Sequence, residues 1–465
     1  MDEPKGWTRR QAIRSLVGGS MLMPGILSRV LADDAGSLAP RLPHHAVRAK
    51  RMIFLYMAGG VSHLDTFDPK PKLFADAGKN VPPQPGHGKK GGVLRRPLWD
   101  FKPRGQCGTE VSDLFPWLSR HVDEICVIRS MKTGHDNHPE ATLGMHTGSF
   151  GVPRPSLGAW VSYGLGTVNR NLPSFVVIAP SLPWGGGWTW GSDFLPATHQ
   201  GTRVIPGATP IANLKRDGAP QDLQELELGL VEAFNRDHLN LRDGDPRLAA
   251  RIRAFETAFG MQMEAPDAFD LSKETDETLA LYGIQRGQVK GYGWQCLVGR
   301  RLAERGVRFI ELIDRGAGAT TGFVNWDAHQ DMSGHGQMAQ NVDRAISGLL
   351  TDLRRRGMME DTLVVWATEF GRTPTADGAE GKGRAHHPNA FTTWLAGAGV
   401  KPGIVHGKTD EYGFEIVEDP VHTHDFHATI LHLLGLDYTK LTYRHAGRDF
   451  RLTDVHGNVV TKILA

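Results

Sequence analysis

The sequence predicts an α/β protein with a large, mainly parallel, doubly wound sheet and long loop insertions. Short, nearly continuous apolar runs are typical of strands that are buried on both faces. Segments with apolar residues at helical spacing lie between these runs, and strands that alternate with helices form a parallel sheet covered on both sides. Glycine- and proline-rich segments interrupt the alternation and indicate the insertions.

The clearest strand covers residues 51–57, because its apolar run ends at Ala58-Gly59-Gly60, which favours a turn. Four other runs share this character and are also predicted to be strands: residues 175–178, 307–312, 362–367 and 392–396. Ligands of a doubly wound sheet bind beyond the carboxyl ends of its strands. The segments that follow these runs are therefore where we expect functional side chains.

The clearest helix covers residues 340–356, where valine, isoleucine and leucine recur at helical spacing. The same spacing predicts three more helices: residues 245–263, 295–305 and 424–434. In the last of them, Asp425 is the predicted N-cap and Gly435 is the residue predicted to stop the helix.

Two loop-rich segments, residues 70–102 and 179–218, interrupt the alternation of strands and helices. The second contains three tryptophans within seven residues, Trp184, Trp188 and Trp190. We expect both segments to wall a cleft. Residues 33–465 are predicted to form a single domain, a length that one large α/β domain can accommodate.

The first 32 residues have the pattern of a twin-arginine signal peptide. Arg9-Arg10 precedes a weakly apolar segment, residues 15–27, and Val30-Leu31-Ala32 is a small-residue cleavage pattern. The apolar segment is too short to cross about 30 Å of hydrocarbon, and no later segment reaches about 18 consecutive apolar residues. We therefore predict a periplasmic or secreted protein with no membrane span in the mature chain. An amphipathic N-terminal helix is the alternative.

The composition narrows the functional classes. The chain has 53 lysines and arginines against 51 aspartates and glutamates, a net charge of +2, which argues against an electrostatic nucleic-acid binder. It has 21 histidines but only three cysteines, so a disulfide framework or a thiolate zinc site is not expected. A bound metal would take histidine and carboxylate ligands, which suit zinc, manganese, calcium or magnesium.

Histidines and carboxylates gather mainly at the ends of the predicted strands and in the loops between them. The candidate metal ligands are His63 and Asp65, Asp327 and His329, Glu369, His386, and His424. Because the carboxyl ends of parallel strands meet at one edge of a sheet, we expect these groups to converge and to bind one or two divalent ions. A histidine-rich surface without a metal is the alternative.

Several of these motifs resemble the signature of the bacterial DUF1501 proteins, a family of unknown function. The segments that carry the resemblance are residues 59–65, 145–148, 326–329, 368–374 and 422–435. The resemblance extends from about residue 45 to the C-terminus. DUF1501 proteins in turn resemble the alkaline phosphatase and sulfatase superfamily. That resemblance implies a large doubly wound sheet with a metal site at the strand ends.

The resemblance also assigns roles to the candidate residues. Asp65 or His63 would replace the superfamily's first metal-binding aspartate, which directly follows the first strand. Asp327 and His329 match a later ligand pair, while Glu369 and His386 match two further ligand positions. His424 begins a helix that is structural across the superfamily, and it is the last candidate ligand.

The nucleophile of the superfamily has no counterpart in this chain. A serine, threonine or cysteine normally begins a helix that ends in Thr-Gly, and the corresponding residue before Thr147-Gly148 is His138. The motif Cys-x-Pro-Ser-Arg is absent from the sequence, which excludes formylglycine sulfatase chemistry. His138 is therefore a metal ligand, a general acid or base, a phosphate-accepting nucleophile, or a structural residue.

The predicted function is an exported, metal-dependent hydrolase-like protein that acts on phosphate or sulfate esters of small molecules or glycans. His138, His135 and Arg372 would face the substrate, and Arg372 would bind its anionic group. The alternative is a non-catalytic protein on the same fold that binds carbohydrates or anions. The missing nucleophile and the tryptophan-rich loop favour that alternative, since flat aromatic rings stack on sugars.

Overall fold

The structure is a computed structural model that describes most of the predicted mature chain. The described residues are 38–82, 92–212, 214, 221–242, 246–315, 325–378 and 380–465. The predicted signal peptide, residues 1–32, lies outside them, as do parts of both predicted insertions.

The strands in chain order are β1 (Arg51–Met57), β2 (Asn80–Val81), β3 (Gly92–Val93), β4 (Phe101–Arg104), β5 (Thr109–Ser112), β6 (Ile125–Lys132), β7 (Phe175–Ile178), β8 (Thr202–Val204), β9 (Phe309–Asp314), β10 (Thr362–Ala367), β11 (Gly371–Asp377), β12 (Gly383–His387), β13 (Phe391–Ala396), β14 (Ile404–His406), β15 (Lys408–Thr409), β16 (Ile416–Glu418), β17 (Val421–His422), β18 (Tyr443–His445) and β19 (Arg448–Phe450). The helices are α1 (Pro71–Ala75), α2 (His138–Thr147), α3 (Leu157–Leu165), α4 (Gln221–Asn240), α5 (Pro246–Phe269), α6 (Asp276–Leu281), α7 (Tyr292–Glu304), α8 (Gly334–Arg355) and α9 (Thr423–Leu433). Short 3-10 turns lie between several of these elements.

The central sheet has the strand order β14-β6-β13-β10-β1-β9-β7-β8, and β17 also pairs with β6. Strand β1 is parallel to β9 and β10, and β7 is parallel to β9 and β8. Strand β13 is the exception, because it runs antiparallel to both β10 and β6. The predicted α/β class and the large, mainly parallel sheet are therefore confirmed, with an antiparallel strand inside the sheet.

Helices cover both faces of the sheet, which confirms that it is doubly wound. Alternate residues of β1 enter opposite cores, as the pleat of a strand requires. Ile53 and Leu55 pack in the core that contains residues of α7 and α8. Phe54 and Tyr56 pack in the core that contains residues of α3 and α9. Each such side chain contributes roughly 1.5–3 kcal/mol by its burial.

The predicted helices form, but some of their ends differ. Helix α8 begins at Gly334, earlier than predicted, and α5 continues past residue 263 to Phe269. The N-cap of α9 is His422 rather than Asp425: its extended backbone precedes the helix, and its Nδ1 accepts a hydrogen bond from the His424 amide at 3.2 Å. Asp425 completes a capping box by accepting from the His422 amide at 2.9 Å. Gly435, with φ +79°, ends the helix as predicted.

The carboxyl ends of β1, β9 and β10 lie side by side at one edge of the sheet. After β1 the chain turns through Gly59 and Gly60, whose φ angles are +128° and +73°. A Cβ atom at Gly59 would lie 2.5 Å from the Trp326 amide nitrogen, so only glycine fits here. This close approach holds the segment at residues 326–329 against the end of β1. Within the described part of the chain, no helix combines the length and apolar character needed to cross a membrane.

Candidate metal centre

Four of the candidate metal-binding or catalytic residues meet at the carboxyl edge of the sheet: His138, Asp327, His329 and His386. Each offers one nitrogen or oxygen atom, and these atoms all lie within 4.8 Å of one another. His138 is the first residue of α2, Asp327 and His329 lie between β9 and α8, and His386 lies on β12. We refer to these four residues as the His/Asp cluster.

The Asp327 carboxylate lies at the centre of the cluster. Its Oδ2 is 3.3 Å from His138 Nε2, and its Oδ1 is 3.2 Å from His329 Nε2 and 3.6 Å from His386 Nε2. The two Nε2 atoms of His329 and His386 are 2.7 Å apart. All three imidazoles therefore present the same ring nitrogen, Nε2, to one small volume.

The other ring nitrogen of each histidine has its own hydrogen-bond partner outside that volume. His138 Nδ1 lies 2.7 Å from Glu369 Oε1, and His329 Nδ1 lies 2.7 Å from Asp377 Oδ2. His386 Nδ1 lies 2.6 Å from the Asp136 carbonyl oxygen. An acceptor at Nδ1 fixes the proton there and leaves the Nε2 lone pair for a ligand, as in carboxylate–histidine–metal sites.

This donor set fits a divalent metal ion. Three imidazole nitrogens and one carboxylate oxygen suit zinc in particular, and ligands of a tetrahedral zinc lie roughly 3.3–3.5 Å apart. The contacts to Asp327 fall close to that spacing, whereas the Nε2 atoms of His329 and His386, 2.7 Å apart, lie closer together than two zinc ligands do. His138 Nε2 is also buried and, among the described residues, it has no hydrogen-bond partner of good geometry. Burying such a nitrogen costs free energy unless a hydrogen-bond partner or a metal ion contacts it.

Electrostatics favour an ionised carboxylate at the centre. Burial alone would raise the pKa of Asp327, but contacts with His138 and His386 and the charge of Arg372 hold that pKa far below its usual range. Burial lowers the pKa of His386, which favours the neutral form that can bind a metal. Burial also acts to lower the pKa of His138, but Asp327 and Glu369 raise it more. Since a metal binds the neutral imidazole, metal binding and protonation of His138 compete.

Glu369, a predicted ligand, lies behind His138 rather than in the cluster. Its carboxylate is fully buried and accepts hydrogen bonds from the Gly59 amide at 2.9 Å and the Tyr56 hydroxyl at 3.0 Å. With His138 on its remaining side, the carboxylate has no free face toward the cluster. Glu369 is therefore placed to orient the His138 ring.

Arg372, which was predicted to bind an anion on the substrate, is fully buried. Its guanidinium donates to Asp327 Oδ1 at 2.6 Å and to the carbonyl oxygens of Gly60 and Arg384 at 2.8 and 3.1 Å. It also donates to the Gly59 carbonyl. These contacts use its donors inside the protein, where they hold the turn after β1 against Asp327.

Asp65 and His63 lie outside the cluster, although both are buried. Asp65 pairs with the buried Arg384, whose Nε lies 3.0 Å from Oδ2, and it accepts from the Ser62 hydroxyl at 2.6 Å. His63 Nε2 lies 3.2 Å from the Gly413 carbonyl oxygen. The described contacts of both side chains are therefore with residues outside the cluster.

His424 and His135 are also separate from the cluster. His424 Nε2 lies 2.8 Å from the Gly148 carbonyl oxygen, at the opposite end of α2 from His138. His135 is half-buried, and its Nδ1 accepts a hydrogen bond from the Asn137 amide at 3.1 Å. Both residues therefore have partners outside the cluster.

Three residues around the cluster were not predicted as residues of the metal site. Asp377 lies on β11, which pairs with β12, the strand that carries His386. Its carboxylate contacts Nδ1 of His329. The ring of Trp184 stacks on His138 with centroids 3.8 Å apart and planes 8° apart. The Arg315 guanidinium carbon lies 5.5 Å from the centre of that indole ring. Tryptophan-rich loops and strand-end arginines are too common for sequence reasoning to select these residues.

The fold and the cluster define an α/β protein with a candidate metal centre at the carboxyl edge of its sheet. The chain belongs to the family described as "Protein of unknown function (DUF1501)", whose model matches residues 49–464. This confirms the resemblance stated from the sequence. No curated protein matches the chain.

Several solved structures resemble the chain at low similarity. The lipoteichoic acid synthase LtaP from Listeria monocytogenes is 8% identical with a TM-score of 0.37, over 91% of this chain and 80% of that one. An alkaline phosphatase superfamily protein from Vibrio parahaemolyticus is 9% identical with a TM-score of 0.39, over 91% and 72%. The periplasmic domain of EcEptC from Escherichia coli, a complex with zinc, is 10% identical with a TM-score of 0.39, over 86% and 88%. At these TM-scores the likeness carries no argument about activity.

Proposed function

We propose that the protein is an exported, metal-dependent hydrolase that acts on phosphate or sulfate esters. The observation that carries this proposal is the convergence of three imidazole Nε2 atoms on the Asp327 carboxylate, while a separate acceptor holds each Nδ1. An arrangement of this kind serves to hold a cation, because a purely structural histidine gains nothing from an open nitrogen beside two others.

His138, Asp327, His329 and His386 would hold the ion. When bound, a divalent ion polarises an ester oxygen and lowers the pKa of water. The side chains of Asp327 and His329 are 26% and 33% exposed, so a substrate can reach this side of the cluster. Catalytic zinc sites keep a position open or expand to five ligands, and an accessible side is what such a site needs.

Direct hydrolysis by water suits this chain better than a covalent route. His138 occupies the position where the resemblance places the nucleophile, but Glu369 and Asp327 flank both of its ring nitrogens. The nearby Thr142 hydroxyl is buried and lies 3.0 Å from the Tyr56 hydroxyl. In the proposed reaction the water oxygen bonds to phosphorus or sulfur and the ester bond breaks. One proton of the water goes to the departing ester oxygen, and the other stays on the product acid or passes to bulk water.

We further propose that Arg315, rather than Arg372, contacts the anionic group of the substrate. A guanidinium that stacks on an aromatic ring keeps its N–H edge free for a phosphate or sulfate. Arg315 lies over Trp184, which stacks directly on His138, so both residues pack on the same indole ring. Among the described residues it has no carboxylate partner, whereas the donors of Arg372 are used inside the protein.

Metal analysis followed by ester hydrolysis tests the proposal. We expect the purified protein to contain about one zinc or similar ion per chain, and the loaded protein to hydrolyse p-nitrophenyl phosphate or sulfate. Asp327→Ala should lose both the ion and the activity, whereas His424→Ala should keep them. A tightly bound ion with no turnover on any ester would identify a structural ion and overturn the hydrolase. Failure to bind any divalent ion would overturn the metal centre itself.

The proposal of export rests on residues 1–32 of the sequence, which lie outside the described residues. Replacement of Arg9 and Arg10 by lysine should retain the chain in the cytoplasm, while the unchanged chain reaches the periplasm or medium. Equal export of both chains would exclude the twin-arginine route.

One observation favours the second candidate, a non-catalytic protein that binds carbohydrates. Trp188 is 59% exposed beside the cluster's helix α2, whereas Trp190 is buried and Trp184 is covered by His138. An exposed indole face can stack on a sugar ring. Binding of sulfated glycans that is lost in Trp188→Ala but unaffected by a chelator would support this candidate over the hydrolase.

A further inference from the structure

Helix α4 exposes an apolar stripe that nothing in the described structure covers. Leu226, Leu230, Phe234 and Leu241 are 73%, 59%, 65% and 84% exposed. Their spacing places them on one face of the helix and its end, and we call them the outer stripe. Monomeric proteins rarely expose a contiguous patch of large apolar side chains, so a stripe of this kind indicates an interface.

The opposite face of α4 rests on α5, and the two helices form a hairpin. Leu228 and Leu239 on α4 are half-buried on this side. A groove of about 530 Å³ runs between the helices, and Val231, Phe255 and Phe259 line it. Phe255 is itself 62% exposed. The hairpin therefore presents both an apolar ridge and an apolar groove.

The charges of the hairpin indicate what covers it. Asp237 lies on the outer-stripe face, between Phe234 and Leu241, while Arg251 lines the groove and stacks over Phe255. Both side chains are exposed, and among the described residues neither has an ion-pair partner. In a contact between two copies of the chain, the Asp237 carboxylate beside the outer stripe of one copy can pair with the Arg251 guanidinium in the groove of the other.

The same charges argue against a lipid surface. Helices that lie on membranes carry lysine and arginine on their polar face and bind anionic headgroups. In the described part of α4, Glu227, Glu232 and Asp237 outnumber Arg236. An acidic helix of this kind is repelled by an anionic bilayer.

We propose that two copies of this chain associate through their α4–α5 hairpins. The outer stripe of each copy lies in the groove of the other, and Asp237 pairs with the partner's Arg251. The contact is two-fold symmetric, so every interaction occurs twice. This arrangement covers the apolar side chains of both helices.

Analytical ultracentrifugation of the purified chain over a range of concentrations tests the dimer. We expect a dimer at micromolar concentration and a monomer for the double variant Leu230→Glu, Phe234→Glu. Val417, on β16, is 62% exposed outside the hairpin, and Val417→Glu is the matched control that should remain dimeric. Circular dichroism checks that the variants fold. A monomeric wild-type chain, or a dimer that the double variant does not disrupt, overturns the proposal.

A charge exchange tests the pairing within the interface. Asp237→Arg and Arg251→Asp should each raise the dissociation constant at least about tenfold, since each places like charges together. The variant that carries both changes should recover most of the lost affinity. Single variants that dimerise normally, or a double variant that does not recover, would overturn the proposed pairing.

Discussion

Helix α2 carries two histidines, His138 and His146, that resemble each other in their contacts but differ in their use. Each has a ring nitrogen 2.6–2.7 Å from a buried glutamate: Glu369 for His138, and Glu311 for His146. The second nitrogen of His146 lies 2.7 Å from the Thr142 carbonyl oxygen, so both of its nitrogens are engaged. The second nitrogen of His138 instead faces Asp327 in the cluster. A buried histidine–glutamate pair is therefore no sign of a metal site unless one nitrogen stays open.

His146 is buried in the core on this helix. His146 lies among aromatic rings, with Tyr56 at 4.4 Å and Phe54 at 5.8 Å between ring centres. Burial acts to lower the pKa of His146, but the charge and the hydrogen bond of Glu311 raise it more. When His146 is protonated, it and Glu311 form an ion pair in the core. Such a pair adds little net stability, yet breaking it leaves an uncompensated charge.

The largest effect expected from this comparison is on stability. Glu311→Ala should lower the free energy of unfolding by about 3–5 kcal/mol, because it leaves His146 buried without its partner. Urea unfolding of the metal-free protein measures this, and metal affinity should change little in the folded fraction. A loss below about 1 kcal/mol would mean that His146 is neutral and that the ion pair does not exist.

At His138 the main effect is expected on zinc binding rather than on stability. His138→Ala should weaken zinc binding by roughly 10²–10³-fold, about a quarter of the free energy that four ligands supply to a zinc site. The metal-free protein should lose less stability than Glu311→Ala loses, because Glu369 keeps the hydrogen bonds of Gly59 and Tyr56 after His138 is removed. Isothermal titration with zinc measures the affinity, with His146→Ala as the matched variant. Equal zinc affinity in both variants would remove the distinction between the two histidines.

The glutamates should differ as their histidines do. Glu369→Gln should weaken zinc binding about 10–100-fold, since the partner that orients a ligand affects metal affinity by this amount. Glu311→Gln should leave zinc binding unchanged, because His146 does not face the cluster. The same titration compares both variants. Weakening by Glu311→Gln to the same degree would show that the two pairs act as one unit.

Much of the fold could be predicted from the sequence, because apolar runs report burial directly. Strands β1, β7 and β10 have the predicted bounds, whereas β9 begins and ends two residues later than predicted. Strand β6 was not predicted: Arg129 and Ser130 interrupt its apolar run, and only pairing with β13 and β14 defines it. The antiparallel direction of β13 depends on the β11–β12 hairpin before it, which local patterns do not encode.

The candidate site was predictable in part. Asp327, His329 and His386 were predicted as ligands and lie together in the cluster, because strand-end position indicates which edge of the sheet a residue occupies. Asp65 satisfied the same rule but pairs with Arg384. A buried carboxylate here can meet an arginine or an imidazole, depending on how the chain runs after Gly59 and Gly60. Spacing in the sequence does not give the distances between residues that are far apart in the chain.

The proposed role of Arg315 predicts a smaller effect, on anion binding. Arg315→Gln should weaken binding of inorganic phosphate or sulfate to the zinc-loaded protein about tenfold, the value of one charge-assisted hydrogen bond. Arg120 is not part of the cluster, and its guanidinium carbon lies 4.2 Å from the centre of the Trp117 ring. Arg120→Gln is therefore the matched control. Titration calorimetry measures both anion and zinc affinity. Unchanged anion affinity with normal zinc binding would reject Arg315 and leave the metal centre intact.

The smallest expected effect is a pH dependence that belongs to His146. Its pKa is raised in the folded protein, so the stability gained from its protonation is complete below the unfolded value of about 6.5 and is lost as the pH rises through the folded value. The free energy of unfolding should therefore fall above pH 6.5, by at most about 1.4 kcal/mol per pH unit. Urea unfolding of the metal-free protein between pH 6 and 9 measures this slope, and His146→Gln should reduce it. Since His138 would also titrate in the metal-free protein, the same series on His138→Gln separates the two contributions. A slope that His146→Gln leaves unchanged would show that the charge in the core does not respond to pH in this range.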